Sequence, residues 1–436
     1  MRWVHTLRGP FLAAASLAPM LGTFVAVRTF GRHTGIASIG YLASLQAVAA
    51  VATLVADLNV GPAGIRRLAQ AQPGQRDPIT RQLRTVTLIG ACIVSMVAVV
   101  VSPVVGQVLL GPRAVWWSFA AAIASGALAM CGAQELNILT GVGKVWTVAA
   151  ILVGQGCVGL VCALTVLNWS VGRPAEQYLL ATAVAQMFVA VTISRFAQRK
   201  LQTSPRPSVA RTRANSWREI QLLLEGSGTT TVAVLLGAGS FSLAPLVVQR
   251  AGGYEASGSF RVASMVASVC AAALAPVNAR VWFTLAATFP GSSVLPAARR
   301  QVRQAMLAAL AVVAVAIALA PWLSRFLTGT TTETQTMRVR LGAEIARAAA
   351  LVYAYAVLAR LPARSYLRIE CWSAVLMITG TFVGTRVDGA VGASVGFGVA
   401  VVCYWAIASS VVHAHLAEGR QGSARARVAE STSHAY

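Results

Sequence analysis

Apolar residues fall along this chain in about a dozen runs of roughly 20, separated by short polar connectors. An α-helix rising 1.5 Å per residue needs about 20 residues to cross a bilayer core of about 30 Å, so each run reads as a transmembrane helix. The pattern predicts spans at about 10–28, 36–58, 85–107, 115–137, 145–168, 177–195, 220–243, 257–283, 303–325, 341–361, 367–385 and 389–412. The ninth to eleventh have the least distinct edges, because Arg325, Arg340, Glu344, Arg347 and Arg360 crowd them. Composition agrees: 56% of the 436 residues are hydrophobic, only 11% are charged, and the mean hydropathy is +0.67. A soluble domain of this length does not carry that balance. The expected fold is therefore an all-α polytopic membrane protein with about 12 transmembrane helices.

Charge sets the orientation. The formal net charge is +23, and the basic residues concentrate in every second connector. With the N-terminus in the cytoplasm, 25 of the 36 Lys and Arg fall in cytoplasmic segments and 9 in external ones, while Arg261 and Arg347 lie within spans. Cytoplasmic loops retain positive charge, so both termini are placed inside and the span number is even. Dispersion over many short loops excludes a nucleic-acid partner, although some arginines suit anionic lipid headgroups. The 34 Arg against 2 Lys, with abundant Ala and Val, suggest a GC-rich genome, and the expected location is the cytoplasmic membrane of a bacterium.

The longest polar connector, Gln198 to Trp217, contains Ser204-Pro205-Arg206-Pro207-Ser208 and lies near the middle of the chain. It divides the sequence into an N-terminal six-helix bundle (1–197), a basic cytoplasmic linker (198–218), a C-terminal six-helix bundle (219–412) and an unstructured tail (413–436). Six spans before the linker mean that the second half enters the membrane in the same sense as the first, so the halves form a parallel pseudo-repeat about the membrane normal. A weak internal similarity supports this. Val25-Ala26-Val27-Arg28 with Gly31, Gly40 and Ser44 resembles Val247-Val248-Gln249-Arg250 with Gly252, Gly258 and Ser264. Gly380, Gly384, Gly392 and Gly396 space small residues one turn apart on the last two spans, which permits close helix contact. Seven cysteines fall within spans without a CxxC pair or clustered histidines, so neither a disulfide framework nor a metal site is indicated, and no cofactor is expected. The apolar run ending at Val27 is followed by Arg28 rather than a cleavage site and reads as a retained first helix.

Three segments carry a family resemblance: Val27-Arg28-Thr29-Phe30-Gly31, Asp57-Leu58-Asn59-Val60-Gly61-Pro62-Ala63-Gly64-Ile65-Arg66-Arg67, and Asn137-Ile138-Leu139-Thr140-Gly141-Val142-Gly143-Lys144. With the twelve-span layout, they resemble the lipid-linked oligosaccharide flippases, the polysaccharide transporter branch of the multidrug/oligosaccharidyl-lipid/polysaccharide exporter superfamily. Asn59 stands where that family usually has glycine. The resemblance implies alternating access between two six-helix bundles and a polyprenyl-pyrophosphate-linked glycan as cargo. It also implies polysaccharide polymerase or export components as possible partners.

Such a cargo calls for a polar, cationic cavity inside an apolar shell, and charged residues within spans are the places to look. Arg28, at the end of the first span, and Arg261, one turn into the eighth, are the preferred pyrophosphate contacts, because a guanidinium bonds phosphate oxygens in pairs. Arg347 is a third candidate. Its neighbour Glu344 lies three residues away on the same helix face and is expected to pair with it. Tyr353 and Tyr355 are the expected cavity aromatics. Glu135, read as an isolated carboxylate on the fourth span, Glu344 and Asp57 are the candidates for ion coupling. Asp57 is also expected to cap its span or pair with Arg66 or Arg67. The tryptophans near span ends read as interfacial anchors.

Other classes fit less well. No Walker loop, HExxH or nucleophile elbow occurs, and the external loops are too short for a membrane glycan polymerase or ligase, so the chain does not read as an enzyme. A drug/cation antiporter of the same superfamily would need an acidic cavity, against 36 basic and 13 acidic residues here. A membrane scaffold that binds lipid-linked precursors is the remaining alternative.

Overall fold

The computed structural model describes residues 2–57, 60–169, 172–199, 228–274, 277, 294–360 and 362–433. These residues form helices α1 (Arg2–Thr34), α2 (Ile36–Asp57), α3 (Val60–Gln70), α4 (Pro73–Leu110), α5 (Trp116–Gly141), α6 (Val145–Trp169), α7 (Pro174–Arg199), α8 (Gly228–Ala273), α9 (Val294–Thr328), α10 (Thr334–Arg360) and α11 (Ala363–Ser433). Nine of them are long and apolar enough to cross a membrane.

These nine yield eleven crossings and a tenth helix adds the twelfth. Helix α8 turns back at Gly253, whose φ of 84° favours glycine, and α11 turns back at Asp388 and Gly389, where Gly389 has φ 51°. Each of these two is therefore a pair of spans. Helix α10 is the twelfth crossing: it packs against α8, α9 and α11, and the charges of Arg340, Glu344 and Arg347 mask its apolar character. The observed architecture is the polytopic all-α one expected.

Helices α1, α2, α4, α5, α6 and α7 pack among themselves, as do α8 to α11, and the main joint between the two groups is α2 against α8. Short α3 lies against α4 and α5 at the arginine-rich end, with Val60 and Leu68 packed on Leu83, Val86 and Ile138. The α2–α8 joint is built on glycine. A Cβ on Gly40 would collide with the Tyr254 carbonyl, and a Cβ on Gly258 with the Ile36 carbonyl. Ile36 precedes Gly40 by four residues and Tyr254 precedes Gly258 by four, so the contact is reciprocal, as a local two-fold axis requires. The glycines of the weak internal similarity meet at this axis. The second half closes by a like device: Gly380 and Gly384 approach the carbonyls of Gly396 and Gly392 across the α11 bend.

The proposed linker lies mostly outside the described residues, since 200–227 are not described. The segment from 413 to Ser433 continues α11 as helix rather than forming an unstructured tail. Its Ala, Glu and Arg content favours helix, which polarity alone does not reveal.

Candidate functional site: a cationic cavity between the two halves

The glycine contact sits at the end of the molecule poor in arginine. From it, α2 and the second arm of α8 run toward the arginine-rich end, and a cavity of about 250 Å³ opens between them. Ala43, Gln46, Ala47 and Ala50 line one wall, and Phe260, Arg261, Ser264 and Ser268 the facing one. Ten residues of helix from Gly40 to Ala50 place the cavity floor about 15 Å below the seal. Alanines on α2 leave the space open, and the first arm of α8 adds Phe241, Ser242 and Pro245.

Three guanidiniums reach this space: Arg261, Arg340 and Arg347. Arg261 donates from Nη2 to Oε1 of Gln46 at 2.8 Å, across the joint between the halves, and its Nε has no partner. Arg340, 5% exposed, donates to Glu344 Oε1 at 2.6 Å and lies 3.9 Å over the Phe397 ring, with its Nε also unpartnered. Arg347 bonds the other Glu344 oxygen at 3.2 Å and sits 5.0 Å over Phe241. Three cations against one carboxylate leave the walls with a surplus of two positive charges. Aromatic faces hold two of the guanidiniums, with donors left over for a ligand.

The seal is tied by more than glycine. Tyr254 Oη and Gln249 Nε2, both on α8, donate to the Leu110 carbonyl at the end of α4, at 2.6 and 2.8 Å. Tyr41 on α2 meets the Tyr254 ring edge-on at 5.8 Å and donates to buried Glu176 at 2.6 Å. Arg28 belongs to this seal and not to the cavity: its guanidinium lies 4.2 Å over Phe326, at the end of α9 in the other half. Beside the seal, burial pushes the Glu333 carboxyl up from its ordinary value, against an opposing hydrogen bond from Ser259.

The other expected site residues fall elsewhere. Glu135 is not isolated: Arg84, 51 residues away in sequence, clamps it through Nε at 2.6 Å and Nη2 at 2.7 Å, and Ser194 bonds it at 2.5 Å. Glu344 pairs with Arg347 as expected, and with Arg340 as well. Asp57 accepts from the Gly61 amide at 3.0 Å, so it caps the start of α3. Tyr353 packs in the core of the second half, whereas Tyr355 lines a neighbouring cavity with Tyr366, Glu370 and Tyr404, which shares Phe241 and Arg347 with the central one.

Sequence reasoning assigns no role to Arg340, Gln46 or Glu370. Arg340 fell just outside the predicted tenth span, although its spacing of four from Glu344 and seven from Arg347 places all three on one helix face. Nothing in the sequence singles out Gln46. Glu370, 4% exposed, accepts from Tyr404 at 2.8 Å and from Tyr366. Among the buried carboxylates of the described spans, this one is held by hydroxyls rather than by arginine, so a proton could neutralise it without displacing a cation.

No family model and no curated protein matches the sequence. Solved structures do. The inward-facing conformation of a multidrug resistance MATE family transporter of the MOP superfamily is similar with TM-score 0.72 and 13% identity, over 93% of this chain and 96% of that one. The lipid II flippase MurJ, in an inward closed conformation, is similar with TM-score 0.67 and 10% identity, over 92% and 87%. A MOP superfamily transporter from Pyrococcus furiosus, described as having a binding pocket of reverse polarity, gives TM-score 0.59 and 13% identity over 94% and 96%. The fold is the one these transporters share.

Proposed function

We propose that this protein is a flippase of the bacterial cytoplasmic membrane. It moves a polyprenyl-pyrophosphate-linked oligosaccharide by alternating access, for use in a cell-surface polysaccharide. The surplus of two positive charges in the cavity carries this reading: Arg261, Arg340 and Arg347 face one carboxylate, and two buried guanidinium Nε atoms lack partners. A pyrophosphate presents several anionic oxygens to such donors and would be stabilised by charge-assisted bonds of about 1.5–3 kcal/mol each. The polyprenyl chain would remain among lipids, and membrane lipids and polysaccharide polymerase or export components are the expected partners. Similarity to the lipid II flippase supports the cargo class.

The similarity to multidrug transporters favours drug/cation antiport as the second reading. The sign of the cavity opposes it, because a cation entering would face three guanidiniums. Glu135 and Glu344 are each closed by arginine, which supports a structural rather than an ion-coupling role for both.

In proteoliposomes carrying a fluorescent polyprenyl-pyrophosphate glycan, wild type should equalise label between leaflets. Arg261→Gln should slow this by about 10- to 100-fold, the equivalent of one lost charge-assisted bond at about 1.4 kcal/mol per decade. If the wild type leaves the label in place and instead exchanges a cationic dye for protons, the antiporter reading replaces this one.

A further inference from the structure

A second cleft lies away from the central cavity, on the flank formed by α4, α5 and α7. Near the arginine-rich end of α4 and α7, a cavity of about 530 Å³ is lined by Asp77, Thr80, Arg81, Arg84, Arg195 and Gln198. A second space of about 200 Å³ shares Arg84, Leu88 and Arg195 with it and continues between the helices past Thr87, Gln134, Met187 and Val191. Together they form a cationic mouth leading into a largely apolar slot.

Arg84 is already engaged with Glu135 and Gln198. Arg81 and Arg195 are exposed and make no ion pair among the described residues, so two available guanidiniums face the single carboxylate of Asp77. The slot has unmet polarity of its own. Gln134 is 1% exposed, yet neither atom of its amide has a partner, and the Thr87 hydroxyl, 3% exposed, also has none. Buried polar groups left in this state are costly, which points to a bound molecule with acceptors at that depth.

We propose that this cleft binds one anionic phospholipid. Its phosphate sits on Arg81 and Arg195, its ester carbonyls accept from the Gln134 amide and the Thr87 hydroxyl, and an acyl chain runs along Leu88, Met187 and Val191. A free phosphate would satisfy the mouth but not the slot. The inference is independent of the transport reading, since it uses none of the central cavity residues.

Native mass spectrometry of the full-length protein in detergent tests it with three probes: phosphatidylglycerol, phosphatidylcholine of the same chains, and inorganic phosphate. Wild type should retain phosphatidylglycerol at least tenfold more tightly than phosphatidylcholine, and inorganic phosphate should not displace it. Arg81→Gln with Arg195→Gln, both on the surface, should erase that preference. Gln134→Leu should weaken both lipids while leaving the lipid-free protein as stable as wild type. The control Arg300→Gln with Arg303→Gln removes the same charge from exposed sites on α9 and should change nothing. Unaltered phosphatidylglycerol binding in the Arg81/Arg195 variant would overturn the proposal. Equal loss in the control would reduce the site to general attraction between arginines and headgroups, and displacement by phosphate would reduce it to a simple anion site.

Discussion

Glu344→Ala should destabilise the protein by about 3–5 kcal/mol, the cost of removing one partner of a buried ion pair and leaving the other charge uncompensated. Two guanidiniums depend on this carboxylate. Arg340 is almost fully buried and bonds it at 2.6 Å, and Arg347, part-buried, bonds it at 3.2 Å. Without it, the cavity wall would hold three cations and no counter-ion. Glu344→Gln keeps an acceptor but loses the charge, and should cost less, about 1–3 kcal/mol. The double variant Arg340→Met with Glu344→Gln should recover part of the stability, because neither member of the most buried pair is then left as an uncompensated charge. Glycan transport should nevertheless stay impaired in that variant, since one of the cavity cations is gone. Thermal unfolding in detergent, followed by circular dichroism, measures the stability series. A Glu344→Ala protein as stable as wild type would show that water or lipid compensates the arginines.

How far this cavity could be read from sequence depended on whether its cues were local. Arg261 is visible as a charge inside an apolar run, and its burial in hydrocarbon demands a cavity. Glu344 and Arg347 are visible by helical spacing. Arg340 lies on the same face but one residue outside the predicted tenth span, because the charges that build the site also blur the edge of that span. Tyr353 and Tyr355 point in widely different directions, because residues two apart on a helix differ by about 200°, and Tyr355 lines a cavity while Tyr353 packs in the core. Glu135 looked isolated because its partner Arg84 is 51 residues away, and only the packing of α4 on α5 brings them together. Arg28 ends a span, which is the sequence cue for a cargo contact. The partner that defines it, Phe326, belongs to the opposite half and has no sequence cue. The spans were legible because hydropathy is summed over many residues, whereas a side chain's partner is a single long-range event.

The α2–α8 seal supplies the second large effect. Gly40→Leu places a branched side chain where even a Cβ meets the Tyr254 carbonyl, and neither backbone can yield without parting the helices. The sealed state contains this clash and a state opened at that end does not, so the substitution acts as a selective penalty on one conformation. A penalty of about 3 kcal/mol would change the population ratio by roughly 100-fold. In a cysteine-free background, Ser264→Cys in the cavity would report the change. Its labelling by a membrane-impermeant thiol reagent from outside intact cells should be slow in the parent and at least tenfold faster with Gly40→Leu. Gly258→Leu should behave alike, because the Ile36 carbonyl opposes it through the same local two-fold. Both should also slow glycan transport, since a cycle cannot proceed when one of its two states is unreachable. Gly384→Leu is the matched control: it creates a comparable clash with Gly392 inside the second half, and should lower stability without raising outside labelling. If folded Gly40→Leu protein labels no faster than its parent, the α2–α8 glycines do not form the external gate, and the ties from Tyr254 and Gln249 to the Leu110 carbonyl and from Arg28 to Phe326 would have to hold that end closed.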